Sequence, residues 1–201
     1  MTVVTATRLE HRAVRRAAPH AHAVRSTVGL AAIRTPIRAP VVISVGLCGG
    51  LEAGIEPGSV LIPGEVGDGE RSWGCDPAWS DRLCVAAARL HLHSVRGRLA
   101  TSREMVTGPA RAAWARLGFA AVDMETALLM NEGARVAAVR VVLDSPSHEL
   151  SPRWRHPATA IVDPRRWGEA LWLVRHAPAY ARRAAEVLAS ALADREVDAE
   201  V

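Results

Sequence analysis

Val41-Val42-Ile43-Ser44-Val45-Gly46-Leu47-Cys48-Gly49-Gly50-Leu51 is the stretch whose reading decides the fold. Three valines, an isoleucine and a single serine run straight into a glycine cluster. The pattern predicts a buried strand that ends in a tight glycine loop, where backbone comes close to something. Two later stretches have the same shape but end in acids: Phe119-Ala120-Ala121-Val122-Asp123-Met124-Glu125 and Val139-Arg140-Val141-Val142-Leu143-Asp144. Buried strands ending in a glycine turn and in carboxylates are how open α/β sheets assemble a ligand site, at the carboxyl ends of their strands.

Outward from that stretch, Met1 to Ala6 reads as a first strand, and Thr5 or Thr7 as the cap of a helix that carries Glu10 and runs through Arg16. Ala23 to Thr27 reads as a strand, Gly29 as a turn, and Leu30 to Thr35 as a short irregular or helical piece stopped by Pro36. Gly58 to Pro63 predicts a further strand, and the glycine-bearing residues 64–76 a polar, mobile loop. Asp76 or Ser80 opens a helix to about Leu90, with Leu83, Ala87 and Leu90 on one face. His91 to Ala100 reads as a strand, Thr101 to Val106 as a site-facing loop or strand end, and Gly108 to Leu117 as a short helix. A helix follows Glu125 and stops at Gly133, and Ala137 to Leu143 is the last strand. Residues 145–157 are irregular, and an alanine-rich helical region, broken at Pro178, closes the chain from Pro164 to about Leu192. Alternating strands and helices without repeats or linkers predict one domain over residues 1–201, an α/β fold with a three-layer α/β/α sandwich and a central mixed sheet.

Composition narrows the function. No apolar run approaches the roughly 20 residues of a membrane span, and Arg8, Glu10, His11 and Arg12 interrupt any signal-peptide segment, so a cytoplasmic location is expected. All 25 basic residues are arginines, which with the abundant alanine reads as coding bias rather than function. A net charge of +4 without a concentrated basic stripe argues against nucleic acid as a partner; Arg153-Trp154-Arg155 with Arg165 and Arg166 is the nearest approach to one. Cys48, Cys75 and Cys84 form no C-x-x-C, and reduced thiols are the expectation. The H-x-H pairs His20/His22 and His91/His93 lack further ligands at zinc-like spacing, so no metal site is expected.

Glu10, Asp123, Glu125 and Asp144 all fall at or just past predicted strand ends. Each has an ordinary alternative: Asp123 as an N-cap, Glu10 or Glu125 as complements to a helix dipole, Asp144 as the start of a turn before Pro146. Jointly they point to acid–base work on a small polar ligand by tuned carboxylates. In order and spacing, GLCGGL, then PGSVLIP, then VDMET, then RVVLDSP resemble the nucleoside phosphorylase/nucleosidase superfamily. The resemblance is good over residues 41–146, loose over 1–12, and weak over 17–40 and 150–201.

The resemblance implies specific roles. Asp144 matches the acid that donates a proton toward N7 of a purine, and Glu10 the glutamate that holds and deprotonates the attacking water in the hydrolytic branch. Glu125 matches the glutamate that binds the ribose hydroxyls, and Met124 the methionine beneath the ribose, with Asp123 preceding them as part of the substrate-binding motif. Gly46 and Leu47 match backbone that meets the sugar or nucleophile, and Met105 and Val106 lie where the family packs against and reads the base. No cofactor is implied. Phosphorylases of the superfamily place an arginine on the strand before the glycine turn and a hydroxyl in it; Ser44-Val45-Gly46-Leu47 holds no arginine, and Leu47 replaces the hydroxyl. Phosphate prefers bidentate arginine, and Glu10 would repel an anion, so water is the favoured nucleophile, with Arg8 and Arg12 keeping phosphate open.

GPARAAWARLGFAAVDMETALL and AAVRVVLDSPSHEL most resemble the hopanoid-associated branch, whose members are thought to release adenine from an adenosyl-hopane lipid. That implies a small-molecule nucleoside partner, lipid-linked, with peripheral membrane contact through Trp73, Trp79, Trp154, Trp167 and Trp172; core or scattered surface positions are the alternative for each tryptophan. The competing readings are a methylthioadenosine/S-adenosylhomocysteine nucleosidase, a phosphate-dependent purine nucleoside phosphorylase and a non-catalytic nucleoside-binding member. The last stays open because the family's second strand and glycine-rich turn are compressed here into residues 23–40. Members of the family often form homo-oligomers.

Overall fold

Strand β3 spans Val41–Gly50 without interruption in the computed structural model, which describes residues 1–28, 37, 39–130, 134–151, 154 and 167–199, with side chains to residue 193. It is the axis of a ten-stranded mixed sheet. Around it lie β1 (Thr2–Thr5), β2 (Ala23–Arg25), β4 (Val60–Leu61), β5 (Glu65–Gly67), β6 (Ser72–Gly74), β7 (Ser94–Val95), β8 (Arg98–Thr101), β9 (Ala121–Asp123) and β10 (Arg135–Asp144). The order is β6-β5-β8-β9-β3-β10-β4-β7, with β1 also paired to β3 and β2 to β1. The parallel β3–β10 ladder is the longest, and β9 meets the far end of β3 antiparallel, Gly49 opposite Val122 and Gly50 opposite Ala121.

Successive residues of these strands enter opposite cores, as a pleated strand covered on both faces requires. Ile43, Val45, Ala137, Val139 and Val141 pack under α1 (Arg8–Ala17), α2 (Pro77–Arg89) and α5 (Trp167–Ala199), against Val14, Leu83, Ala184 and Leu188. Val42, Cys48, Val136 and Val142 face the other way, toward Ala127, Leu129 and Met130 of α4 (Thr126–Met130). A third, smaller cluster joins Leu51, Val106, Phe119 and Val122 to Trp114 and Ala115 of α3 (Pro109–Arg116). The expected three layers are therefore present.

Several local expectations change. The glycine cluster is not a turn: left-handed φ among the described glycines occurs at positions 54, 58, 69, 108 and 118, and none of Gly46, Gly49 and Gly50 adopts it. Residues 64–76 hold the β5–β6 hairpin, closed by the Asp68 carboxylate accepting from the Glu70 and Arg71 amides, rather than an unstructured loop. His91 to Ala100 splits into β7 and β8, with His91 at a left-handed φ of 51° beyond α2. Helix α5 continues through Pro178 without a break. The predicted turn at Gly29, the piece from Leu30 to Thr35 and the helix stop at Gly133 lie outside the described residues, as do Arg153, Arg165 and Arg166. Among the five tryptophans, Trp79 is core, Trp73 packs against the second core, Trp154 donates to Glu169, and Trp172 stacks between His148 and His176; Trp167 is 62% exposed. No helix of the described residues is long and apolar enough to cross a membrane.

Helix α5 holds its layer through Leu188, which is fully buried among α1, α2 and the sheet. Leu188→Ala should lower unfolding free energy by about 2–5 kcal/mol, the usual range for a buried leucine left with a cavity. Urea denaturation followed by circular dichroism measures it.

Candidate active site

Site geometry begins with Thr7, which caps α1. Its hydroxyl accepts from the Glu10 amide at 3.2 Å, while Glu10 Oε2 accepts from the Thr7 amide at 2.7 Å and the Thr7 hydroxyl at 2.8 Å. This capping box satisfies orphan helix donors and fixes the glutamate. Its other oxygen, Oε1, accepts from the Leu47 amide of β3 at 2.8 Å. One oxygen of Glu10 therefore serves the helix, as the first-turn reading expects, and the other reaches the centre of the sheet.

Beside it stands Arg140, which sequence reasoning did not single out. It is 1% exposed, and its Nη2 donates to Asp123 Oδ2 at 2.6 Å, Ser44 Oγ at 2.7 Å and Thr126 Oγ1 at 2.8 Å. Glu125 Oε2 lies 3.9 Å from the same nitrogen. Burial works against the charged guanidinium, but the carboxylates of Asp123, Glu125 and Glu10 outweigh it and hold Arg140 above its ordinary value, a fixed cation. Asp123 is spent on this structure. It also accepts from Thr101 Oγ1 at 2.6 Å, from the Glu125 and Thr126 amides and from the Thr126 hydroxyl. Its carboxylate anchors Arg140 and caps α4 at once.

Gly46 makes this arrangement fit. A Cβ there would sit 2.5 Å from Arg140 Nη1 and 2.5 Å from Glu10 Oε1, so only glycine lets the two charged ends converge on the strand. The expectation of no arginine near Ser44-Val45-Gly46-Leu47 is thus corrected. Arg140 arrives from the neighbouring strand, where register places it opposite Gly46. No signal local to β3 could have shown it; an arginine inside the apolar run of β10 was the clue.

Further along the same ladder, at its end, lies Asp144, opposite Gly49 and past a β-bulge that follows Val142. It is 5% exposed. Its Oδ2 accepts from Arg111 Nη2 of α3 and from the Leu150 amide at 3.3 Å, and a Cβ on Gly49 would lie 2.9 Å from Oδ1. Burial pushes the carboxyl above the usual carboxylate value; Arg111 and the Leu150 amide pull it down without cancelling that. Gly46 and Gly49 lie three positions apart on β3, about 10 Å between their Cα atoms at strand rise.

Glu125 is buried at the start of α4, with Met124 half-buried before it. Val106 is buried against Leu51, Phe119 and Val122, and Met105 is half-buried just ahead of α3. Cys48, between the two centres, is kept a neutral thiol by burial. His22 and His93 pair with the hydroxyls of Thr2 and Ser59, and the described residues contain no group of three or more His, Cys, Asp or Glu arranged to hold a metal.

The sequence model of the Phosphorylase superfamily matches residues 6–162, and the chain belongs to that superfamily. No curated protein matches it in sequence. Among solved structures, the 5′-methylthioadenosine/S-adenosylhomocysteine nucleosidase of Neisseria meningitidis in complex with methylthio-immucillin-A is similar at a TM-score of 0.75 and 15% identity, covering 96% of this chain and 98% of that one. The S-adenosylhomocysteine nucleosidase of Streptococcus pyogenes with 5-methylthiotubericidin gives a TM-score of 0.74 at 15% identity, over 96% and 95% of the two chains. A futalosine hydrolase mutant of Helicobacter pylori gives 0.73 at 12% identity, over 96% and 98%. At these identities the likeness is one of fold.

Gly46→Ala should leave the sheet intact but force Glu10 and Arg140 apart. A displacement of that kind costs on the order of 10²-fold in turnover where the displaced groups serve the reaction. Steady-state kinetics on the folded variant, confirmed by circular dichroism, gives the value.

Proposed function

We propose that the chain is a purine-nucleoside N-glycosidase that hydrolyses the bond between base and ribose. The observation that carries the reading is a buried carboxyl of raised pKa, Asp144, at the end of the β3–β10 ladder opposite Gly49, with a glutamate, Glu10, anchored to Leu47 two residues earlier on β3. Cleaving an N-glycosidic bond needs a proton for the leaving base, stabilisation of charge on the sugar and a placed nucleophile.

In this reading Asp144 gives its proton to N7 of the purine, and the electron pair of the C1′–N9 bond leaves with the base. Glu125 holds the ribose hydroxyls and favours the oxocarbenium-like state, with Met124 beneath the sugar. Water bonds to C1′ and surrenders its proton to Glu10. Asp144 ends ionised and Glu10 protonated, and exchange with solvent resets both. Met105 and Val106, immediately before α3, pack against and read the base.

Electrostatics favours water over phosphate. One guanidinium, Arg140, faces the carboxylates of Asp123, Glu125 and Glu10, so an incoming dianion meets an excess of negative charge. The presence of Arg140 beside Gly46 is what keeps a phosphorolytic alternative under test. For the substrate, the hopanoid-branch resemblance favours an adenosyl-hopane-type lipid. In support, Trp167, Leu171 and Val174 lie at i, i+4 and i+7 of α5 and are 62%, 70% and 74% exposed, a stripe suited to an apolar surface. Methylthioadenosine, S-adenosylhomocysteine and futalosine, substrates named for the structural neighbours' class, are the competitors.

Adenosyl-hopane, methylthioadenosine, S-adenosylhomocysteine, futalosine and inosine, each with and without phosphate, should be assayed for free base. Phosphate-independent release of purine is expected; release only with phosphate would make the protein a phosphorylase, and no release from any would leave a binding protein. Asp144→Asn and Glu10→Gln should each cut turnover by about 10²–10⁴-fold, the usual worth of a proton-transfer group. Because the folded-state pKa of Asp144 is raised, its acid form persists above the ordinary carboxylate range and is lost as pH rises through that value. The rate should therefore fall on the alkaline side of a single ionisation, which a pH–rate profile of kcat/KM reads directly.

A further inference from the structure

Arg111 is buried, 4% exposed, on a short alanine-rich helix, and its side chain has three partners in different parts of the chain. Nη2 donates to Asp144 Oδ2 at the end of β10, Nη1 to the Gly50 carbonyl of β3 at 2.5 Å, and Nε to Glu149 Oε1 at 2.9 Å. Glu149 Oε1 also accepts from the Gly108 amide at the start of α3, at 2.5 Å. A guanidinium is suited to this, since its donors lie in one rigid fork. The bonds that Asp144 accepts from described residues, those of Arg111 and Leu150, both fall on Oδ2.

We propose that Arg111 is the positioning residue of the acid: it pins Oδ2 and thereby presents Oδ1, with its proton, to the leaving base. This rests on the nucleosidase reading of Asp144 and deepens it. Oδ2 accepts from Arg111 whether the carboxyl is neutral or ionised, so the pair is compatible with a protonated acid. When Oδ1 passes its proton to the base, the carboxylate left behind already has its counter-ion, and no side chain has to move. Helix α3 follows directly on the segment of Met105 and Val106, so the same guanidinium ties the base-reading segment to the acid.

Three ionisable groups face Asp144 from the elements around it. Arg111 comes from α3 and stabilises the carboxylate; Glu149, in the segment after β10, opposes it; Cys48 on β3 is a neutral thiol. Arg140, on β10 itself, is committed to Asp123. Removing Arg111 and removing Glu149 must therefore move the acid in opposite directions.

The test compares Arg111→Met, Arg111→Lys and Glu149→Gln with the parent, using the pH profile of base release and the ¹³C titration of the Asp144 carboxyl, assigned by its loss in Asp144→Asn. Arg111→Met should raise the alkaline limb and the carboxyl titration by about 1–3 pH units, the usual influence of an adjacent guanidinium on a carboxyl. It should also lower plateau kcat more than it changes KM. Arg111→Lys keeps the charge and should leave the limb near that of the parent while losing part of kcat, since the fork is gone. Glu149→Gln, at a half-exposed position that threatens the fold least, should move the limb and the titration down. An Asp144 titration unmoved in folded Arg111→Met, or unmoved in Glu149→Gln if the arginine variants do not fold, overturns the proposal and leaves Arg111 a structural tether. A parent chain that releases no base overturns the nucleosidase reading instead, and the carboxyl titrations still decide whether Arg111 governs Asp144.

Discussion

Much of the molecule's centre answers to one buried charge. A guanidinium taken out of water carries a desolvation cost of several kcal/mol, and it persists only if partners surround it. Arg140 finds them in Asp123, Ser44 and Thr126, drawn from three elements of the fold. Those partners in turn fix others. Asp123 must serve Arg140, Thr101 and the first amides of α4 simultaneously, which sets the angle at which α4 leaves β9. Gly46 must lack a side chain. Ser44 must be a serine within an otherwise apolar strand interior. A single cation thus accounts for the residues that break the hydrophobic pattern of β3.

The same ladder carries both chemical centres. Parallel pairing of β3 with β10 sets Arg140 beside Gly46 and Asp144 beside Gly49, so the spacing of these two charged residues is set by strand register rather than by a loop conformation. Groups held by core strands and bonded at both ends are well placed for proton transfer, since their geometry does not have to be assembled on binding. Around the acid the chain adds a second network. Ser145 and His148 bond each other, Leu150 returns to Asp144, and Ser151 and Trp154 bond Glu169 at the start of α5. His148 stacks on Trp172 of the same helix. The exposed apolar stripe of α5 therefore belongs to a helix tied to the acid through a few bonded residues.

The two carboxylate centres are kept apart in character by environment alone. Asp144 is buried with partial compensation and is pushed toward the neutral form. Glu10 accepts from three donors, the Thr7 amide and hydroxyl and the Leu47 amide.

Local physics made a good part of this legible in the amino-acid sequence. Apolar runs and their caps located β1, α1 with Glu10 near its start, α2 under Asp76, α3, and the strands ending at Asp123 and Asp144, because burial pattern and capping are properties of neighbouring residues. What failed had a common cause. The glycine cluster looked like a turn because glycine permits one, yet its residues are extended, and their small size is used for the approach of Arg140, Glu10 and Asp144 across the sheet. Arg140 was invisible as a site residue because it is 96 positions from Ser44, and Arg111 because it is 61 from Gly50. Which charges meet is set by strand order and register. The sequence by itself determined a layered α/β chain with acids at its strand ends, since periodicity and strand-end chemistry are written locally. Only the tertiary structure decided that one buried arginine lies against two of those acids and another arginine holds a third, because a long-range ion pair exists only once the sheet has brought its ends together.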